Sequence, residues 1–272
     1  MSSVLFDVPG PEALRRQRRA SVITIVILVV LAALVLYKLQ TEGQLAAKLW
    51  EPFVTPIYIQ ALLEAALTTL RVAVVAIALS VLFGALLAIA RLSDHAWVHL
   101  PATLVVEFFR AVPVLMMILA ISLVYSEVIG KFWSLVIGLV LYNGSVLAEV
   151  FRAGINAVPR GQSEASYALG LRKGQVMQLI LLPQAVKIML PAIISQSVVT
   201  LKDTSLGYVI PYEELTNVGR AISIEFTNIL PVAIVLAAMF IAANYSLSRF
   251  ATWLEQRMGR ATGSQAELNV GA

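Results

Sequence analysis

The 272-residue sequence contains no cysteine, only two histidines, and few charged residues, 13% of the chain. Without cysteine, disulfides and thiolate metal sites are excluded. His95 and His99, beside Asp94, are too few for a histidine-built metal centre, so a solvated turn is expected there and no metal is called for. No Gly-rich phosphate loop of the Walker type occurs, which removes ATP binding by that route. No internal repeat or low-complexity tract interrupts the chain, and no nucleic-acid partner is expected. What is abundant is apolar surface, with hydrophobic residues making up 59%.

That surface is arranged in runs. Residues 20–37 carry no charge, and further apolar runs cover 72–90, 111–126, 132–148, 188–201 and 226–248. A bilayer span needs roughly 20 predominantly apolar residues, so the shorter runs are expected to recruit flanking polar residues or to tilt. A soluble chain of this length cannot bury so many apolar segments in one core. The expectation is an all-α integral membrane protein with six transmembrane helices. The first run lacks a small-residue cleavage site and follows a long polar segment, so it reads as a retained helix.

Charge placement sets an orientation. With the N-terminus inside, one side holds Arg15, Arg16, Arg18, Arg19, Arg91, Arg152, Arg160, Arg172, Lys173, Arg249, Arg257 and Arg260. The other side holds only Lys38, Lys48, Lys131, Lys202 and Arg220. The positive-inside rule then puts both termini in the cytoplasm, and Trp50, Trp97, Trp133 and Trp253 fall near run ends as interfacial aromatics do. Residues 1–19 read as a cytoplasmic tail, mobile or lying on anionic lipid. Residues 20–57 read as an additional N-terminal helix and external link. Residues 58–255 form a five-helix core, and 256–272 a disordered cytoplasmic tail.

Between the fourth and fifth runs lies a compact element over residues 156–183. Glu164-Ala165-Ser166 is followed by Gly170, Ile180 and Leu182-Pro183, with a basic pair at Arg172-Lys173. An Ala-rich turn, a Gly stop and a Pro-bounded segment make a helix–turn–helix that must face something outside the bilayer. Glu164 is expected in the first turn, where the helix dipole favours a carboxylate. Gly170 is expected to need an unusual backbone turn that Gly43 does not.

The spacing resembles the "EAA loop" of the membrane subunits of ATP-binding-cassette importers, with Ser166 in place of the usual Ala. Other segments are similar to the polar amino-acid class of those permeases. Phe109-Arg110-Ala111-Val112-Pro113-Val114-Leu115 resembles a Phe-Arg-Gly-Thr-Pro-Leu-Leu element, departing at Ala111 and Val112. Ala148-Glu149-Val150-Phe151-Arg152-Ala153-Gly154-Ile155, Val158-Pro159-Arg160-Gly161-Gln162 and Lys202-Asp203-Thr204-Ser205-Leu206 resemble further elements. The resemblance covers residues 58–255. The N-terminus and its helix look most like the permeases of actinobacterial glutamate uptake systems.

This resemblance implies a type I importer permease fold in a bacterial plasma membrane. It implies coupling through Arg160, Gly161, Glu164, Ala165, Ser166 and Gly170 to a separate ATPase, which holds ATP-Mg while this chain binds no cofactor. It also implies a second permease, related or identical, and an extracellular solute-binding protein, with L-glutamate or another polar amino acid as substrate. Ionisable and polar groups at membrane depth mark path candidates, here Arg71, Asn143, Ser195, Gln196, Thr200, Lys202 and Asp203. Ser and Thr also bond their own helix backbone. Glu107 with Arg110, and Glu149 with Arg152, are three apart and read as helix-end ion pairs bracing the core beside Pro113. A secondary transporter should carry mid-helix coupling carboxylates, and a membrane enzyme needs a catalytic constellation; neither pattern stands out, so a non-enzymatic transport subunit is expected.

Overall fold

The computed structural model describes the backbone of residues 10–270 and the side chains of residues 12–253. Every element among the described residues is helical. Helix α1 (Pro11–Thr41) is followed by a 3-10 segment (Ala47–Val54), α2 (Pro56–Arg91), α3 (Ala96–Ala111) and α4 (Val114–Asn156). Then come α5 (Arg160–Ala168), the single turn α6 (Lys173–Gln175), a π-helical turn (Val176–Leu181) and α7 (Leu182–Asp203). A second 3-10 segment (Thr204–Val209), α8 (Leu215–Phe226) and α9 (Ile229–Val270) complete the chain.

Five helices are long and apolar enough to cross a membrane. One of them, α4, folds back on itself at Gly130, whose φ of 79° and ψ of 158° are not helical. A Cβ on Gly138 would lie 2.8 Å from the side chain of Ile118, twenty residues earlier. Such closeness requires the arm over 114–129 to run back along the arm over 131–156. Six crossings result, as the composition predicts. Backbone polar groups in lipid must be paired within the segment, and helices alone achieve that here.

Lipid tails give no hydrophobic drive for helix association, so small residues that admit close backbones decide the packing. The centre of the fold follows this rule. Ser80, Gly84 and Ala88 of α2 are buried at four-residue spacing against Gly144 and Ala148 of α4. A Cβ on Gly84 would stand 2.7 Å from the Gly144 carbonyl oxygen, and one on Gly144 would stand 2.7 Å from the Phe83 ring. Larger apolar side chains close the structure on both sides of this crossing. Val72, Ile118, Leu135, Leu139 and Ile210 pack on one side, and Leu147, Phe151, Ala185 and Met189 on the other.

Both tails differ from expectation where they are described. Helix α1 begins at Pro11, so residues 11–19 of the expected tail are helical; proline's fixed φ suits a first helical position. The first nine residues lie outside the described ones. At the other end α9 carries helical backbone to Val270, across the stretch expected to be disordered. Good helix formers there, among them Leu254, Glu255, Gln256 and Arg257, extend a helix already nucleated. Residues 271–272 lie outside the described ones.

Two further differences are local. Glu107 and Arg110 lie in the last turns of a separate helix, α3, ahead of the third crossing. Proline has no N–H and disfavours helix in the residue before it, so the helix stops and restarts at Val112-Pro113. Gly43 also has positive φ, 70° against 79° at Gly170. Each ends a helix in the same motif. Gly43 N–H donates to Gln40 O and Gln44 N–H to Leu39 O, while Gly170 N–H donates to Tyr167 O and Leu171 N–H to Ser166 O. A side chain is therefore strained at both glycines, and the expected contrast between them disappears.

Candidate functional site

Helix α5 is the element that the Glu164 spacing predicts, and its faces are sharply divided. Ser166 is buried and donates to the Gln162 carbonyl at 2.6 Å. Arg160, Gly161, Glu164 and Ala165 are exposed, as are Tyr167 at 49% and Leu169 at 83%. Glu164 is the fifth residue of nine, so it stands in the second turn and not in the first, because the helix already starts at Arg160. No hydrogen bond or ion pair within the described residues engages its carboxylate. The turn after Gly170 is anchored at one point, where Lys173 pairs with Asp94 at 2.5 Å and reaches the Leu92 carbonyl. That ion pair holds the Asp94 carboxyl below its ordinary range.

Above this element, three arginines converge on one acid. Glu149 pairs with Arg91 from α2, with Arg152 at 2.5 Å, and stands 4.0 Å from Arg110 of α3. Arg91 is 9% exposed in its side chain. The i,i+3 pair Glu149–Arg152 is the one its spacing predicts. Glu107 and Arg110 do not pair: Glu107 is exposed, and Arg110 turns to Glu149. Pro113 sets up this arrangement by ending α3 and offering its carbonyl to Met116 and Met117.

Toward the opposite end, some path candidates meet. Gln196 and Asp203 are seven residues apart on α7, two turns on one face. Gln196 donates to Asn143 Oδ1 at 2.5 Å, and Asn143 donates to Asp203 Oδ2 at 3.4 Å and to Leu139 O at 3.1 Å. Asn143 is fully buried and Asp203 half-buried. Asp203 has no cationic partner among the described residues. The other candidates do not join this row. Thr200 is buried and donates to the Gln196 carbonyl, Ser195 is exposed, and Lys202 lines a separate cavity of about 530 Å³ with Val198, Asn244 and Ser248. Arg71 is exposed on α2 beside Tyr212, whose phenol burial pushes up while the guanidinium pulls the other way.

Sequence reasoning missed Glu214. This carboxylate is wholly buried and caps α8, accepting from Thr216 N–H at 2.8 Å and Asn217 N–H at 2.7 Å. Asn217 in turn donates to the Ile210 and Tyr212 carbonyls, and Leu215 N–H donates to Thr69 on α2. The signal available in the sequence was an acid followed two and three residues later by Thr216 and Asn217, the spacing of a helix cap. Burial raises the Glu214 pKa from 4.5 to about 7 against those two bonds. The folded protein therefore holds a proton that the unfolded chain has released between those values. The stability tied to this group is complete below about 4.5 and falls as pH rises through about 7. Thermal unfolding in detergent should show that decline in the wild type and lose it in Glu214→Gln; an unchanged pH profile in the variant would reject the assignment.

Comparison with known proteins gives concordant matches. Residues 80–260 match the family described as binding-protein-dependent transport system inner membrane component. The glutamate transport system permease protein GluD of Corynebacterium glutamicum is 40% identical over 232 residues, covering 82% of this chain and 85% of that protein. The glutamate/aspartate import permease protein GltK of Escherichia coli O6:H1 is 30% identical over 207 residues, covering 72% and 92%. A solved amino acid ABC transporter crystallised with histidines superposes with a TM-score of 0.69 at 28% identity, covering 74% of this chain and 95% of that one. An inward-facing MetNI methionine ABC transporter gives 0.67 at 16% identity, covering 75% and 99%, a likeness of fold alone.

Proposed function

The chain belongs to the family of binding-protein-dependent transport system inner membrane components, and from that premise we propose that it moves L-glutamate across the membrane under the control of a separate ATPase docked at Glu164. It is a multi-pass permease subunit of an amino-acid ABC importer. The observation that carries the coupling reading is the uncovered face of α5, where the side chains of Glu164, Tyr167 and Leu169 are exposed and the Glu164 carboxylate has no partner among the described residues, while Ser166 and the Gly170 turn fix the element behind them. A short helix held in this way moves as a body. An exposed carboxylate on it suits a charge-assisted bond to an arginine of the ATPase, which would hold ATP-Mg; this chain has no ATPase site of its own in this reading.

For the solute, the Asp203 carboxylate, which has no cationic partner among the described residues, would receive an ammonium group, with the Asn143 and Gln196 amides offering both donors and acceptors. Such a row near the meeting of two crossings fits alternating access. Arg71 is then the candidate for a substrate carboxylate. Glutamate is favoured because GluD and GltK are both named for it; another polar amino acid is the alternative. Both termini and α5 face the cytoplasm in this arrangement, a second permease completes the path, and a solute-binding protein delivers from outside.

The test is purification of the tagged chain from its native membrane in mild detergent, followed by uptake in liposomes. An ATPase, a second permease and a binding protein should come with it, and labelled glutamate should enter only with ATP. Uptake by the chain alone without ATP would replace this reading with a secondary transporter.

A further inference from the structure

Helix α1 stands outside the packing that unites the rest of the fold. Every described side chain from Glu12 to Lys38 is exposed, including Val22, Ile23, Val26, Val29 and Val30, each more than half so. Ahead of its charge-free stretch sit Arg15, Arg16, Arg18 and Arg19. None of the four takes part in an ion pair among the described residues. Lys38 at the far end, by contrast, is neutralised by Glu42 at 2.7 Å.

The arginines are not spread evenly round the helix. Arg15, Arg18, Arg19, Val22 and Ile23 fall at i, i+3, i+4, i+7 and i+8, one face of an α-helix. They frame an open groove of about 420 Å³, cationic at its upper end and apolar below. Guanidinium forks match phosphate oxygens in pairs. Their place directly before the membrane-spanning stretch sets them at headgroup depth, with the valine and isoleucine side chains running down beside the acyl region. A soluble anion would use the first part of this groove and leave the second empty.

We infer that the Arg15–Arg18–Arg19 face of α1 is a binding site for one anionic phospholipid, its phosphate on the guanidiniums and an acyl chain along Val22 and Ile23. The inference does not depend on which solute the protein carries.

Native mass spectrometry of the full chain in detergent, with added phosphatidylglycerol, phosphatidylcholine or inorganic phosphate, tests it. Phosphatidylglycerol should be retained over phosphatidylcholine, and Arg15→Gln/Arg18→Gln/Arg19→Gln should cut its retention at least about ten-fold. Arg249→Gln should leave retention unchanged. Should the triple glutamine variant fail to insert, Arg15→Lys/Arg18→Lys/Arg19→Lys keeps the charge while losing the planar forks, and a drop of about three-fold is expected. Equal retention of the two lipids, or full retention in the variant measured, would overturn the site. Displacement of bound phosphatidylglycerol by inorganic phosphate would reassign the arginines to a soluble anion and overturn the lipid.

Discussion

Glu164→Arg is expected to leave the protein in the membrane and lower ATP-driven uptake at least about a hundred-fold. The side chain is exposed and has no hydrogen-bond or ion-pair partner among the described residues; exposed substitutions of this kind stay within about 0.5 kcal/mol. At a docked interface the same change removes a charge-assisted bond worth roughly 1.5–3 kcal/mol and sets like charges together. Two such terms exceed the roughly 2.8 kcal/mol that a hundred-fold effect requires. Uptake, co-purification of the ATPase and solute-stimulated ATP hydrolysis should be read together. Normal values for the last two would reject Glu164 as the coupling residue.

Glu149→Leu should be strongly destabilising. It strips from three converging guanidiniums the one acid they share among the described residues, and one of the three, Arg91, is nearly enclosed. Breaking a buried pair from one side costs about 3–5 kcal/mol, whereas replacing both partners with apolar groups is often close to neutral. The single variant should therefore melt at least about 6 °C lower in detergent. Adding Arg91→Met should recover part of that loss. A single variant as stable as the wild type, with no recovery in the double, would show that the cluster is solvated and does not brace the helices.

What the sequence discloses about this protein is what local chemistry controls. Charge-free runs declare the crossings because a bilayer imposes their length. The helix over 160–168 and its stop at Gly170 are readable because capping is decided within six residues. Contacts between distant segments were harder. Spacing alone pairs Arg110 with Glu107, three residues away, but α2, α3 and α4 meet where Glu149 offers the better partner. Lys202 and Asp203 look like one polar pair in the sequence, yet adjacent helix positions point about 100° apart and only Asp203 reaches Asn143. The Ser80–Gly84–Ala88 stripe was available as a small-residue signal; its partner Gly144 was not, since nothing in a glycine says what approaches it. Glu214 sits beside Glu213, and although the Thr and Asn that follow mark a helix cap, nothing local says that the cap is buried.

The reversal at Gly130 has a geographical consequence. With the two arms of α4 joined through a single non-helical residue, almost no chain protrudes beyond the bilayer at that bend. The landscape on this side is therefore built by the stretches over 42–55 and 204–228; Asn228 donates to the Leu49 carbonyl between them, and Tyr58 at the start of α2 donates to Glu225. A soluble visitor arriving from that direction meets one small continuous platform, with the bend of α4 lying low at its margin.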